Sequence, residues 1–370
     1  MPIFKNKFFS TIDFKMILAI IFLVCFGLAA IYSVALGRGD NEYGNFKKQL
    51  FFLFLGLPLM LLVSFVDYRL WRKLSWWGYG LSLLLLVLVL TPLGSTIKGA
   101  RGWFDFGFFS FQPVELAKVF LIMVLADLCS RYSRTIYKLP QLLFMSLIVA
   151  VPIGLTLIQP DFGSAMVLAF IWLAAFLFVV QKKWHAFLIF GLAIGLLLAA
   201  WFGFLQDYQK ERIRSFLDPS RDPQGRGYNV RQSTIAVGAG KLTGRGLGFG
   251  SQSQLKFIPE SQTDFIFAVI AEEIGFIGVA LLLFLFGAIF WEFYQIGLRS
   301  PDDFGLFAVL LTSAMVFFHV LINIGMCIGL LPVTGISLPF VSYGGSFLLT
   351  MLVLMGMILS IYRYGKIVKG

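Results

Sequence analysis

Long apolar runs alternate with short polar segments along the whole chain. A helix needs about twenty apolar residues to cross roughly 30 Å of hydrocarbon. The pattern predicts ten such helices, near residues 15–36, 48–66, 76–92, 114–129, 141–158, 161–180, 185–205, 264–291, 304–330 and 341–361. We therefore expect an all-α polytopic integral membrane protein with a single transmembrane domain, residues 1–370, and a large polar loop, residues 206–263, between helices 7 and 8.

Composition agrees with this pattern. Hydrophobic residues make up 59% of the chain and charged residues 13%, whereas a soluble domain is near one half apolar and one quarter charged. The net charge of +11 comes from short basic runs between apolar segments, with no basic helix, so we predict membrane lipid as a contact and no nucleic acid. The three cysteines lie in or beside apolar runs, and we predict no structural disulfide.

The short loops predict the orientation of the chain. If the N-terminus is cytoplasmic, most Lys and Arg of the short loops are cytoplasmic too, and the outer loops hold only Arg38, Lys47, Lys48, Lys98 and Arg101. Such an excess is typical of the cytoplasmic side. We expect both termini in the cytoplasm, with the large loop and Asp264 on the outer face.

Asp264 follows Thr263 at the end of the large loop and precedes an apolar run. One hypothesis is that its carboxylate caps the N-terminus of the following helix. The other is that it acts as a general base, taking a proton from a sugar hydroxyl as that oxygen attacks. The residues alone leave both hypotheses open.

The large loop is rich in glycine and basic residues. It does not match a phosphate-binding P-loop, because Gly240 and Lys241 are followed by Leu242. We expect a compact glycine-bent loop lying on the membrane, with most of its basic side chains solvated. If the substrate is a lipid pyrophosphate, two or three of them stabilise its leaving group. The candidates are Lys210, Arg212, Arg214, Arg221, Arg226, Arg231, Lys241, Arg245 and Lys256, of which Arg212 and Arg214 follow helix 7 most closely.

Several charged residues lie within apolar runs, where charges are costly unless paired or functional. Glu115 and Lys118 are three residues apart and share a helix face, which favours an ion pair. Glu272 and Glu273 lie about 12 Å along helix 8 from its start; they need interior partners or form a proton pathway. With two histidines and no cysteine cluster, we predict no protein-built metal site.

Two further polar stretches belong to the same predicted outer face. Gln159, Pro160 and Asp161 are expected to cap the sixth helix. Residues 331–345 are interrupted by Pro and Gly, and broken backbone at membrane depth is tolerated only where it lines a cavity or packs on protein.

With these residues the chain resembles the SEDS family of bacterial membrane proteins, almost from end to end. The motifs that carry the resemblance are Lys98 to Arg101 with Trp103, Gln112 to Lys118, Gln159 to Gly163, Arg212 with Phe216 to Pro219, Asp222 with Tyr228, Gln252 to Leu255 with Pro259 and Glu260, Thr263 to Phe267, Glu272 to Gly275, and Pro339 to Ser346. Residues 251–260 are more similar to the rod-shape (RodA) branch than to the division (FtsW) branch.

The resemblance implies a peptidoglycan glycosyltransferase of the bacterial inner membrane that polymerises lipid II for cell elongation and releases undecaprenyl pyrophosphate. Asp264 matches the family's essential aspartate, and we predict it as the catalytic residue. The predicted substrate-binding residues are Lys98, Arg101, Trp103, Glu115, Lys118, Arg212, Arg214, Lys256, Glu260, Thr263 and Ser342. The chain departs from the family at Gln262, usually His, and Val114, usually Ser.

The resemblance also implies partners, namely a class B penicillin-binding protein and other membrane proteins of the elongation complex. We expect no cofactor built into the chain, and a divalent cation, Mg²⁺ or Mn²⁺, as a possible addition. Two alternative functions use the same residues: a lipid II flippase using the basic loop, and a proton-coupled transporter using Glu272, Glu273, Glu115 and Lys118. Catalysis needs an acid at the outer face, whereas transport needs acids near mid-membrane.

Overall fold

The computed structural model describes residues 13–38, 40–97, 99–133, 138–179 and 226–369, together with isolated positions between 184 and 216. Most of the predicted seventh helix, and the predicted site residues Lys98 and Arg212, lie outside these residues. Everything that follows concerns the described part of the chain.

The described chain is mostly helical, in agreement with the predicted fold class. Its helices are α1 (Phe14–Arg38), α2 (Asp40–Phe65), α3 (Tyr68–Leu88), α4 (Pro113–Tyr132), α5 (Leu139–Ile158), α6 (Phe162–Val179), α7 (Arg226–Ala239), α8 (Ser251–Gln254), α9 (Ile266–Leu298), α10 (Asp303–Cys327) and α11 (Gly345–Lys369). Several boundaries were predicted wrongly: α2 and α3 each begin eight residues before the predicted position, because polar residues form their first turns.

Seven of these helices are long and apolar enough to cross a membrane: α1, α2, α5, α6, α9, α10 and α11. α3 and α4 occupy the positions predicted for the third and fourth spans, but they carry charged residues and are not among the seven. α4 lies at the centre of the protein, packed against α3, α5, α6, α10 and α11. Nearly every residue from Pro113 to Cys129 is buried, so the charged side chains of Glu115, Lys118 and Asp127 face protein.

The segment between α3 and α4 forms a small antiparallel sheet that the all-α prediction missed. Its strands are β1 (Ser95–Ile97), β2 (Ala100–Asp105) and β3 (Ser110–Phe111), in the order β1-β2-β3. Arg101 pairs with Thr96, and Trp103 pairs with Ser95. The strands are only two to six residues long, and such short polar segments have no clear period in the sequence.

The predicted eighth helix is interrupted at Gly275, which has φ 74° and ψ −165°. This conformation is open to glycine and strained for other residues. The backbone of the large loop pairs with the break: Arg245 N and Gly246 N donate to the Glu272 and Glu273 carbonyls at 3.0 and 2.9 Å. α9 is therefore two helical segments, residues 266–274 and 276–298, rather than the continuous helix that we predicted.

The second segment of α9 is long enough to cross a membrane by itself. Its roughly 23 residues span about 34 Å at 1.5 Å per residue. α7 of the large loop packs against α9, and Gly240, which directly follows α7, lies against Ala271 and Glu272 of the first segment. The loop is thus partly helical and joined to α9, and Gly244, Gly246 and Gly248 bend it at positive φ, as expected for a glycine-bent loop. Its placement on the membrane stays a prediction.

Replacing Gly275 tests this break. A Cβ at position 275 would overlap the backbone N of Gly244 and lie 2.7 Å from the Leu242 carbonyl oxygen, and the backbone would be strained by about 1–3 kcal/mol. We expect Gly275→Ala to lower the unfolding free energy by at least about 2 kcal/mol, measured by thermal unfolding in detergent. Gly287→Ala is the matched control on the same helix, because nothing lies within 4 Å of its Cβ position. Equal stability of the two variants would contradict the break.

Candidate active site

Asp264 lies in a tight turn directly before α9. Glu260, with φ 54°, begins the turn, and its carbonyl accepts hydrogen bonds from Thr263 N at 3.1 Å and Phe265 N at 3.2 Å. The Thr263 hydroxyl also donates to Glu260 Oε2 at 2.9 Å. The N-cap position of α9 belongs to Phe265, so the hypothesis that Asp264 is the N-cap of this helix was wrong by one residue.

The interrupted segment between α10 and α11 holds the turn from one side. The Ser342 hydroxyl donates to the Thr263 carbonyl at 2.6 Å and accepts from Leu338 N at 2.8 Å. Tyr343 N donates to the Gln262 carbonyl at 2.8 Å. The Asp264 carboxylate lies against Gly335, where a Cβ would be 3.5 Å from Oδ2.

Amide side chains of α2 form hydrogen bonds to both the Asp264 turn and the interrupted segment between α10 and α11. Asn45 Nδ2 donates to Gln262 Oε1 at 2.8 Å. Gln49 Nε2 donates to the Ser342 carbonyl at 3.2 Å, and its Oε1 accepts from Gly344 N at 3.1 Å. Gln262, where the family usually has histidine, thus has a defined partner in this chain.

α10 contributes a third set of contacts, which the sequence analysis did not identify. Asn323 Nδ2 donates to the carbonyl oxygens of Asp264 and Ile336, both at 2.8 Å. One turn away on the same face, His319 Nδ1 lies 3.1 Å from the Ser337 carbonyl. The i, i+4 spacing of these two residues was visible in the sequence, but their partners were not.

Glu115 and Lys118 form the predicted ion pair, with Nζ 2.7 Å from Oε1 and both side chains buried. The Lys118 ammonium lies 5.5 Å from the ring centroid of Phe347, and the His319 ring stacks on that same ring at 5.2 Å. The ion pair therefore lies beside the first turn of α11, which follows directly on the segment that holds the Asp264 turn.

Asp161 caps α6, as predicted from the tight turn before it. Its Oδ1 accepts from Ser164 N at 2.9 Å, and its Oδ2 accepts from the Ser164 hydroxyl at 2.8 Å. Gln112 Nε2 also donates to Oδ2 at 3.0 Å, while Gln112 N donates to the Ser346 hydroxyl at 3.3 Å. These bonds join the start of α4 to the starts of α6 and α11.

The other predicted substrate-binding residues lie outside this network of contacts. Arg101 Nε donates to the Gly94 carbonyl at 3.3 Å, and Trp103 is half-buried on the same strand. Arg214 pairs with Glu211 at 3.6 Å. Lys256 is exposed, with φ 62°. The structure thus groups Asp264, Glu260, Thr263 and Ser342 closely, and Glu115 with Lys118 nearby.

Glu272 and Glu273 accept hydrogen bonds from neutral groups of the large loop and α1. Glu272 accepts from the backbone N of Gln252 and of Ser253, at 2.8 and 3.0 Å, and so caps α8. Glu273 accepts from the hydroxyl of Ser33 in α1, at 2.6 to 2.7 Å, and from Gln254 Nε2 at 3.3 Å. Both carboxylates therefore have interior partners, one of the two outcomes that the sequence left open.

The described residues include no group of three or more His, Cys, Asp or Glu side chains placed to hold a metal ion.

The Tyr343 phenol, in the segment between α10 and α11, is partly buried, and desolvation raises its pKa above the ordinary value.

The chain matches the family model described as "Cell cycle protein", named for FtsW, RodA and SpoVE, over residues 14–367. It is 38% identical to stage V sporulation protein E of Bacillus subtilis over 367 residues, covering 96% of this chain and 98% of that protein. It is 34% identical to the peptidoglycan glycosyltransferase MrdB of Escherichia coli K12 over 376 residues, covering 99% and 98%.

A solved structure has the same fold. It is described as "Structural coordination of polymerization and crosslinking by a peptidoglycan synthase complex". The TM-score is 0.80 at 33% identity, over 96% of this chain and 98% of that one. The similarity extends over both chains almost completely.

Removing the Glu272 carboxylate should release the large loop. Hydrogen bonds to a charged group contribute about 1.5–3 kcal/mol each, and 1.4 kcal/mol is a factor of ten in an equilibrium. We expect Glu272→Ala to raise the rate of trypsin cleavage after Lys241 and Arg245 at least about tenfold, measured by limited proteolysis. Thr234→Ala is the control, because that hydroxyl is exposed and donates within its own helix. Cleavage at the same rate in both variants would show that Glu272 does not hold the loop.

Proposed function

The chain belongs to the FtsW, RodA and SpoVE family, which is the SEDS family, and we propose that it is a peptidoglycan glycosyltransferase. It is an integral membrane protein with several apolar helices. The substrate that we propose is lipid II, a disaccharide linked to undecaprenyl pyrophosphate. The process that we propose is cell elongation and shape, from the similarity of residues 251–260 to the RodA branch.

The observation that carries the proposed chemistry is the way in which the Asp264 turn is held. Hydrogen bonds from Ser342, Tyr343 and Asn323 fix three consecutive carbonyls, those of Thr263, Gln262 and Asp264. Asp264 as a residue is only half-buried. An acid with a fixed backbone and an accessible side chain suits a general base.

The reaction forms one C–O bond, breaks another C–O bond and moves one proton. The 4-hydroxyl of the acceptor disaccharide attacks the anomeric carbon of the donor, and Asp264 takes the hydroxyl proton. The bond between the anomeric carbon and the pyrophosphate oxygen breaks, and undecaprenyl pyrophosphate leaves with the electron pair. Negative charge grows on that leaving group, so nearby cations lower the barrier. Arg214 and Lys256 are two of the basic loop candidates that the structure describes.

We further propose ten membrane spans with both termini cytoplasmic and the Asp264 turn on the outer face. The excess of Lys and Arg in the other short loops supports this orientation. The membrane that we propose is the bacterial inner membrane. A groove between helices would then hold the undecaprenyl chain while its pyrophosphate reaches the turn.

The contacts of Glu272 and Glu273 favour the enzyme over the proton-coupled transporter. A proton relay needs acids that exchange protons along a path, whereas these carboxylates accept bonds from backbone N–H and hydroxyl groups that fasten the large loop. A lipid II flippase would use the same outer loop and make no bond. It remains the alternative that an assay must separate from polymerisation.

The proposed partners are a class B penicillin-binding protein, which would crosslink the new glycan, and other elongation-complex membrane proteins. The similar structure described as a peptidoglycan synthase complex, with polymerisation and crosslinking, supports this partner class. A divalent cation is proposed as an addition to the assay. The described residues include no group of three or more His, Cys, Asp or Glu placed to hold a metal ion, and no step above depends on one.

Replacing Asp264 tests the proposed base. We expect the purified protein to make glycan polymer from lipid II with Mg²⁺ or Mn²⁺, without ATP or a proton gradient. Asp264→Asn keeps the shape of the side chain but cannot take a proton, so polymer formation should fall by at least about a hundredfold, in line with the typical contribution of a general base. Gel analysis of radiolabelled product measures the change.

The control is Asp302→Asn, because Asp302 caps α10 through Gly305 N and asparagine caps equally well. This variant should keep wild-type activity. Undiminished polymer from Asp264→Asn would contradict the role of Asp264. Movement of lipid II across vesicle membranes without polymer would favour the flippase.

A further inference from the structure

Asn323 is a buried polar residue in the middle of an apolar helix. Its side chain is 0% exposed, and a buried amide without partners is costly. Most of α10 around it is hydrophobic. Its hydrogen bonds therefore have to offset the cost of burying the amide in this helix.

The two N–H bonds of one amide nitrogen reach two different chain segments. Nδ2 donates to the Asp264 carbonyl and to the Ile336 carbonyl, both at 2.8 Å, and an amide NH₂ has two hydrogens to give. Gly335, where an added Cβ would lie 3.5 Å from Asp264 Oδ2, directly precedes Ile336. Asn323 thus fixes the backbone of Asp264 relative to the surface against which its side chain lies.

Two neighbours of Asn323 on the same face of α10 also lie against these two segments. Cys327, one turn further, has Sγ 3.7 Å from the Asp264 carbonyl, and His319, one turn before, lies beside the Ser337 carbonyl. Residues spaced by four share one helix face. Among the three, Asn323 alone bonds both segments, so it is the residue whose loss separates them.

We propose that Asn323 is a positioning residue for the reaction, holding Asp264 at the distance and angle that proton transfer requires. This inference rests on the proposed function, in which Asp264 is the base. A misplacement of about 1 Å at a reacting group costs up to about a hundredfold in rate. Asn323 does not touch substrate in this proposal, so its effect falls on turnover rather than on binding.

The test compares Asn323→Asp with the wild type. Aspartate has nearly the same shape, but it places an oxygen where the NH₂ group faced two carbonyl oxygens. We expect kcat for polymerisation of lipid II to fall by about ten- to a hundredfold and KM to change by less than about threefold. Hydrogen exchange measured by mass spectrometry should become faster in peptides covering residues 260–265 and 333–338.

Ser233→Ala is the matched control. Its hydroxyl is also buried and donates to the Cys327 carbonyl of α10 at 2.8 Å, but it does not contact the turn. This variant should lose similar thermal stability while keeping kcat and the slow exchange of both peptides. If Asn323→Asp does not accumulate, Asn323→Ser, which keeps one short donor, should lose kcat to a smaller extent.

The outcomes separate the two proposals. An active wild type with unchanged kcat or unchanged exchange in Asn323→Asp would overturn the positioning role alone. An equal loss of kcat in Ser233→Ala would show that the loss comes from lower overall stability. That result would also overturn the positioning role of Asn323. A wild type without polymer would contradict the proposed function, whereas the exchange of the two peptides would still decide whether Asn323 holds the Asp264 turn.

Discussion

Backbone N–H and carbonyl groups need partners wherever a helix is interrupted inside an apolar protein, and this requirement governs the region around Asp264. The turn before α9 and the interrupted segment between α10 and α11 each leave such groups without helical partners. They bond to each other through Tyr343 N and the Ser342 hydroxyl. Amides on α2 and α10 complete the set, so a non-helical site is held between helices mainly by backbone groups, hydroxyls and neutral amides.

The same requirement explains the break at Gly275. Four backbone groups of α9 around the break bond to the loop, through Arg245 N, Gly246 N and the carbonyls of Lys241 and Leu242. Glu272 and Glu273 add side-chain bonds to α8 and α1 at the same place. The large loop is therefore attached at one end of the short segment 266–274, and Asp264 lies at the other end of that segment.

Sequence patterns predicted the apolar helices, the Glu115–Lys118 pair and the turn at Asp161 because each depends on residues close in the chain. The break in α9 was missed because Gly275 alone does not distinguish a kink from a tolerated helical glycine. The short sheet was missed because its strands are too short to show alternation. Asn323 and Gln49 were missed because their partners are far away in the chain, at Asp264, Ile336, Ser342 and Gly344. The role of Asp264 came from family resemblance, and the contacts then gave it a physical setting.

Neutral amides are well suited to hold a carboxylate that has to change its protonation state. A fixed cation bonded to Asp264 would favour the charged form and make the carboxylate a weaker base. The Asp264 carbonyl accepts a hydrogen bond from Asn323 and lies 3.7 Å from Cys327 Sγ, and both of these donors are uncharged. The Lys118 charge is largely satisfied by Glu115 at 2.7 Å. The position of Asp264 is thus fixed through its backbone carbonyl. Its basicity depends separately on the side chain and the surroundings of that side chain.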